Sequence, residues 1–340
     1  MRLDQKHVLI TGHTGFKGSW LIILLKALGH KVSGVSLPPT KGSLFDAGEL
    51  SRYLHNHILL DILDREKLNR EFERISPDIV IHFAAQSLVR EGYRNPIRTF
   101  DVNFTGTLNL LMGVPKDGAV TLVITTDKVY QPKSPPIPYV ESDSLGGLDP
   151  YSASKAAADL LVQSWMENNP HQILGIARAG NVIGGGDNSI ERLFPDILDN
   201  LKNNTKLVLR NPNAIRPWQH VLDCLNGYLK MIEHISGSKS QLILNFGPDH
   251  DSKATVFDVC NLAAKYWGTD SNLEIQSDDK MKETEVLLLD SGKARSTLNW
   301  HNKLEFTESV RWTVEWQKYV LNGLDAFSAT ERQVTKFLNL

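Results

Sequence analysis

Thr11-Gly12-His13-Thr14-Gly15-Phe16-Lys17-Gly18 follows the apolar run His7–Thr11 and leads into the helical pattern Ser19–Leu28. The spacing is Gly-x-x-Gly-x-x-Gly between a first strand and a first helix. Glycines at such a junction let the backbone turn sharply and approach a diphosphate, whose charge then meets the free N–H groups and positive end of the helix. In an arbitrary loop three glycines say little. Here they predict a dinucleotide site, against the alternative of a tight turn with no ligand.

Outward from this loop, short β-branched runs alternate with amphipathic stretches: His7–Thr11, Lys31–Val35, His57–Asp61, Asp78–Phe83, Val120–Thr125 and Ile173–Arg178. That rhythm predicts an α/β chain, a Rossmann-type doubly wound parallel sheet with helices on both faces. Near-continuous apolar strands such as Ile79-Val80-Ile81 fit burial on two sides. After about residue 183 the alternation gives way to Gly184-Gly185-Gly186, a helical pattern at Arg192–Lys202 and turns at Asn211-Pro212-Asn213. The expected division is a dinucleotide-binding domain over residues 1–183, rejoined by 215–250, with 184–340 forming mainly a smaller substrate domain. Leu242–Phe246 reads as a strand returning to the main sheet, and Phe306–Val320 as a helix, so the two parts interleave.

A strand-2 carboxylate commonly accepts bonds from the ribose 2′-OH of NAD. This chain has Ser36 there, with no acid and no adjacent Arg, so the loop does not choose between NAD and NADP. Asp61, after the third strand, reads equally as an acceptor for an adenine amine and as a helix N-cap.

Asp149-Pro150-Tyr151-Ser152-Ala153-Ser154-Lys155 is the most informative stretch for chemistry. Asp149 suits an N-cap and Pro150 the first helical position, which puts Tyr151 in the first turn and Lys155 one turn later on the same face. A nearby ammonium and the helix N-terminus both favour a phenolate, lowering a reference pKa of about 10 so that Tyr151 can act as a base on a sugar hydroxyl. Strand Val120–Thr125 ends in Thr126-Asp127-Lys128. Carboxyl ends of strands line the crevice of a doubly wound sheet, so these three project toward whatever Tyr151 attacks, unless they form an exposed turn.

The 340 residues suit two domains at roughly 100 to 200 residues each. Lys plus Arg number 37 and Asp plus Glu 39, for a formal net charge of −2, so no basic field is available to grip nucleic acid. Hydrophobic residues make up 41% and charged residues 22%, enough to bury a core. The apolar run Trp20–Leu25 is far shorter than the roughly 20 residues of a membrane span, and the polar start Met1–His7 does not read as a signal peptide. Cys224 and Cys260 lack a CxxC partner and fall in helical patterns, so buried free thiols are expected, with no metal, in a reducing cytoplasm.

These stretches together resemble the extended short-chain dehydrogenase/reductase family, and more narrowly its CDP-glucose 4,6-dehydratases. The likeness spans nearly the whole chain, through residues 11–20, Thr126-Asp127-Lys128-Val129-Tyr130, residues 151–158, Ala177–Asp187 and Arg210–Val221. The glycine loop and YxxxK mark only the wider family; Asp127-Lys128 and the Arg210–Val221 block are narrower marks. The resemblance implies a tightly bound, recycled NAD on Gly12, Thr14, Gly15, Phe16 and Gly18. Asp61 and Ile62 would lie near adenine, Ala84, Ala85 and Gln86 beside the cofactor, and Tyr151 and Lys155 at the nicotinamide end. Asn181, Arg192, Arg210 and Arg216 would hold a sugar nucleotide, a task for which the planar guanidinium suits phosphate.

The implied reaction is dehydration of CDP-glucose to CDP-4-keto-6-deoxyglucose by C4 oxidation, water loss across C5 and C6, and return of the hydride to C6. Tyr151 takes the 4-OH proton, Thr126 bonds the same oxygen, Asp127 protonates the departing 6-OH, and Lys128 is either the C5 base or a charge that steadies the enolate. A homodimer or higher homo-oligomer is implied through Pro96–Met112 and Tyr151–Glu167. A 4-epimerase has no need of Asp127-Lys128, a reductase consumes free NADPH, and a dinucleotide sensor gains nothing from YxxxK. Leu148, Asn188-Ser189 and Lys282-Glu283 depart from the family pattern and leave room for a shifted sugar or nucleotide preference.

Overall fold

The computed structural model describes residues 5–115, 118–209, 211–248, 254–276 and 286–340. Seven strands form its main sheet: β1 (His7–Thr11), β2 (Lys31–Ser36), β3 (Asn56–Leu59), β4 (Ile79–His82), β5 (Val120–Thr126), β6 (Leu174–Ala179) and β7 (Leu242–Phe246). They are all parallel, in the order β7-β6-β5-β4-β1-β2-β3. The order reverses between β1 and β4, and the C-terminal ends of these two strands open the crevice typical of such sheets.

Alternation along each strand feeds two cores. Val8, Ile10, Ile79 and Ile81 face one side, where helices Phe16–Ala27 and Val221–Ser238 pack. Leu9 and Val80 face the other, against helices Arg65–Ile75, Gly106–Gly113 and Pro150–Asn168. Helix Phe16–Ala27 is buried continuously from Gly18 to Leu25, which is why its apolar run shows no polar stripe. Among the described residues no helix is long and apolar enough to cross a membrane.

Beyond β6 a third core gathers Phe194, Ile197, Val259, Ala263, Val310 and Val314 from helices Leu193–Asn203, Val256–Trp267 and Phe306–Leu321, with Trp218 from the segment before Gln219–His220. Two short parallel pairs edge it, Leu207–Leu209 with Leu273–Ile275 and Val182–Ile183 with Gln219–His220. Leu242–Phe246 does return to the main sheet, pairing with β6. Cys224 and Cys260 are buried free thiols in helices.

Three local expectations differ. The first helix begins at Phe16, three residues before Ser19, so Gly18 lies inside it; a Cβ there would sit 2.5 Å from the Gly12 carbonyl, and the third glycine serves the packing of loop on helix. The third strand covers Asn56–Leu59 and leaves Asp61 in the following turn. Pro96–Met112 is not one regular helix. A π-helical turn at Asp101–Thr105 separates Pro96–Phe100 from Gly106–Gly113 and swings Asn103 inward, where its amide donates to the Gln86 carbonyl at 3.0 Å and the Ser154 hydroxyl at 2.8 Å.

Candidate active site

A cavity of about 830 Å³ opens at the C-terminal ends of β1, β4, β5 and β6, a size suited to a bound organic ligand. Its construction starts at Gly12. With φ of +75° this residue turns the chain out of β1, and its Cα passes so close to β4 that a Cβ would lie 2.6 Å from the Ala84 nitrogen. Thr11 fixes the other side of this contact, its hydroxyl 2.6 Å from His82 Nδ1 and 3.3 Å from the Ala84 amide that donates to it. Thr14 Oγ1 lies 2.7 Å from the Ser36 hydroxyl and donates to the Leu37 carbonyl at 3.1 Å.

Gly15 is the N-cap of the first helix, makes no side-chain cap and is followed by no acidic residue in the first turn. The opening N–H groups of a helix have no partner within it. Here they face the cavity, which Gly12, Thr14, Gly15, Phe16 and Gly18 all line. A Cβ on Gly15 would meet only the Gly12 carbonyl, at 3.3 Å, and otherwise occupy open space. An uncapped helix start behind a bare glycine fits a diphosphate, and so fits NAD.

Asp61, Ile62, Ala84 and Ala85 line the same cavity. Asp61 is not a helix N-cap, because Asp64 caps the helix that follows; its carboxylate instead pairs with Arg98 at 2.6 Å and accepts from the Leu63 amide at 3.0 Å. Gln86 stands behind the wall. Its amide nitrogen donates to Thr99 at 2.8 Å and its carbonyl oxygen accepts from the Leu88 N–H at 2.5 Å.

At the opposite end Thr126, Asp127, Lys128, Tyr151 and Lys155 converge on one wall. Asp149 caps the helix as its sequence suggests, accepting from the Ser152 amide at 2.9 Å, with Pro150 at the first helical position. The Thr126 hydroxyl donates to Asp127 Oδ1 at 2.9 Å and accepts from the Lys128 amide at 3.3 Å. Asp127 is 2% exposed, and its second oxygen has no hydrogen-bond partner among the described residues. Burial pushes this carboxyl up to about 6, against Lys128, the Thr126 hydrogen bond, Arg216 and Lys17, which all pull it down.

Tyr151 corrects an expectation. Its phenol does not fall toward neutrality: burial raises it to about 12, and the Thr126 hydrogen bond and Arg192 only partly offset this, while Asp127 and Asp149 add to it. The Lys155 ammonium is taken up elsewhere, donating to the Ile124 carbonyl at 2.8 Å. Burial lowers Lys155 to about 8, opposed by Asp159 and assisted by Lys17.

Asn181, Arg192 and Arg216 line the third side; Arg210 lies outside the described residues, as does Lys282-Glu283. Arg192 reaches Ser87 Oγ at 3.1 Å and Asp187 at 3.4 Å. Its neighbour Glu191, at φ of +59°, bonds Arg94 at 2.7 Å and Arg90 at 3.4 Å across the cavity mouth. Leu148 is 82% exposed, and Ser189 folds back onto Asp187 at 2.6 Å.

Two features escape a reading of the sequence. Asp159 and Arg178 form an ion pair at 2.7 Å, almost wholly removed from solvent, with Thr125 and Gln163 completing the carboxylate's bonds; this locks helix Pro150–Asn168 onto β5 and β6. Asp159 follows Lys155 by four residues, a spacing that hints at it. Lys17 also lines the cavity, and nothing in the glycine pattern singles it out. Among the described residues no group of His, Cys, Asp and Glu could hold a metal ion.

A CDP-glucose 4,6-dehydratase of Salmonella typhimurium is 39% identical over 98% of this chain and 96% of its own length. A dTDP-glucose 4,6-dehydratase of the same organism is 28% identical over 91% and 92%. Among solved structures, UDP-glucose-4-epimerase from Stenotrophomonas maltophila with bound NAD superposes with a TM-score of 0.83 at 20% identity, over 94% of this chain and all of that one. The dTDP-glucose 4,6-dehydratase from Bacillus anthracis in complex with NAD gives 0.79 at 22%, over 94% and 97%. Residues 8–247 match the NAD dependent epimerase/dehydratase family, and the chain belongs to that family.

Proposed function

We propose that the chain dehydrates CDP-glucose to CDP-4-keto-6-deoxyglucose as an NAD-dependent hydro-lyase. Identity to the Salmonella enzyme along nearly the full length supports the substrate. The observation that carries the reaction type is Asp127, a buried carboxyl in the cavity wall with one oxygen unpartnered among the described residues. Burial favours its protonated form, the state a general acid needs and an epimerase does not.

When bound, NAD supplies reversible oxidation at sugar carbon C4. Gly12, Thr14, Gly15, Phe16 and Gly18 would hold its diphosphate, with Asp61, Ile62, Ala84 and Ala85 along it, Gln86 backing that wall and Lys155 at the far end. Tyr151 accepts the 4-OH proton as a phenolate, the form that the Thr126 hydrogen bond and Arg192 favour against burial. Asp127 donates its proton to the departing 6-OH. Lys128 either removes the C5 proton or holds the enolate its loss leaves. Asn181, Arg192, Arg210 and Arg216 would hold the sugar nucleotide, with residues 184–340 forming most of that side and 1–183 and 215–250 the cofactor side. Free buried thiols suit a reducing cytoplasm. Exposed Ile97, Phe100 and Leu160 support a homodimer through helices Pro96–Phe100 and Pro150–Asn168.

The test is incubation of purified protein with CDP-glucose, UDP-glucose and dTDP-glucose, with mass spectrometry for loss of one water. Asp127→Asn is expected to lower turnover by roughly 10²–10⁴-fold while retaining NAD. Full turnover in Asp127→Asn removes the acid assignment, and full turnover in Lys128→Ala removes Lys128 from both of its roles. Loss of water only from another nucleotide sugar overturns the substrate.

A further inference from the structure

At the end of β2, where a carboxylate commonly meets the ribose 2′-OH of NAD, this chain has Ser36. Its hydroxyl has a fixed direction. The glycine loop is pinned to β2 one residue earlier, the Gly12 amide donating to the Val35 carbonyl at 2.8 Å, and this brings Thr14 against Ser36. Thr14 Oγ1 then has two neighbours, the Leu37 carbonyl at 3.1 Å and Ser36 Oγ at 2.7 Å. A carbonyl can only accept, so the single hydroxyl proton of Thr14 goes to Leu37. Ser36 must therefore donate to Thr14, and its side chain makes no other hydrogen bond among the described residues. Both residues line the cavity. What Ser36 Oγ offers a ligand there is lone pairs without a proton.

We propose that Ser36, oriented by Thr14, is the residue that selects a 2′-hydroxyl over a 2′-phosphate on the adenosine ribose of the dinucleotide. A hydroxyl can donate to the free lone pairs of Ser36. A phosphate ester at neutral pH brings acceptors and negative charge, and meets an oxygen with no proton to give it. The surroundings act in the same direction. The Leu60 amide donates to the Ser36 carbonyl at 2.8 Å, so the next residue, Asp61, stands at the same end of the sheet, where its carboxylate repels a phosphate. Arg98, which lines the cavity, is engaged by Asp61 at 2.6 Å, and Lys41, the first cation after Ser36 in sequence, does not line it. A serine thus achieves by the direction of one proton the exclusion that a carboxylate achieves by charge. This inference rests on the reading that the glycine loop holds the dinucleotide, and not on which sugar nucleotide is turned over.

The test is competition for the cofactor site of the full chain, with NAD, NAD lacking the 2′-hydroxyl of its adenosine ribose, and NADP as the probes. No sugar is needed. In the parent the 2′-deoxy form is expected to bind about 3–10-fold more weakly than NAD, the size of one hydrogen bond, and NADP about 100-fold more weakly. Ser36→Ala is expected to weaken NAD to the level of its 2′-deoxy form and so abolish the difference between the two, a cancellation that a merely structural serine would not produce. Thr14→Val leaves the Ser36 proton free to turn toward the ligand, so NADP is expected to bind about 3–10-fold more tightly than in the parent. Thr14→Ser keeps the hydroxyl and is expected to behave as the parent. Equal binding of NAD and its 2′-deoxy form by the parent, a 2′-deoxy difference that survives in Ser36→Ala, or NADP bound as tightly as NAD overturns the proposal and leaves the dinucleotide site standing. If Ser36→Ala does not fold, unchanged NADP binding in Thr14→Val overturns it. A parent that binds none of the three probes overturns the dinucleotide site and the proposal together.

Discussion

Asp127 shows how one side chain couples stability to chemistry. A carboxyl whose folded pKa lies near 6, above its usual value of 3.8, is favoured in its protonated form by folding. Its contribution is therefore fully present below about pH 4 and is lost as pH rises through about 6. Asp127→Asn is accordingly expected to stabilise the protein by about 1–3 kcal/mol at pH 7 and to lose that advantage near pH 4, read by urea unfolding at both pH values. An equal difference at the two pH values sinks this. The residue scale also shows what sequence conceals. Tyr151 and Lys155 are legible because an N-cap, a proline and a four-residue spacing are all local. The proton affinity of Tyr151 is not, because it is a sum over burial and over Thr126, Arg192 and Asp127, brought together only by the tertiary fold.

At the scale of elements, helix Pro150–Asn168 is held by the Asp159–Arg178 pair as well as by Val162 and Met166 in the core. Removing one partner strands a charge where water cannot reach it. Arg178→Met is expected to cost about 3–5 kcal/mol in denaturant unfolding and to weaken NAD retention by displacing Lys155, whereas Arg178→Met with Asp159→Leu recovers much of the stability. A single variant as stable as the parent rules this out. Apolar strands and glycine junctions were readable because their periodicity is local. The π-helical turn was not, because its cause is tertiary: Asn103 bridging Gln86 and Ser154. Asp61 shows the same limit, since its partner Arg98 stands 37 residues away on helix Pro96–Phe100.

Across the whole molecule, the exposed side of helix Pro150–Asn168 carries Leu160 at 53% exposure, with Ile97 at 76% close by in the fold's order of contacting helices. Water-facing leucine and isoleucine on adjoining helices are a surface that self-association would cover. Leu160→Glu is expected to convert a dimer to monomers in light scattering; a parent that is already monomeric removes the dimer. The parallel sheet has a further consequence for synthesis. Its last strand, Leu242–Phe246, arrives well after β6, which it must cover. At about 5–20 residues per second on the ribosome, the β6 edge stays bare for several seconds, with its N–H and C=O groups open to a neighbouring nascent chain. A chaperone that shields this edge during translation would therefore raise the yield of native protein more than one acting after release.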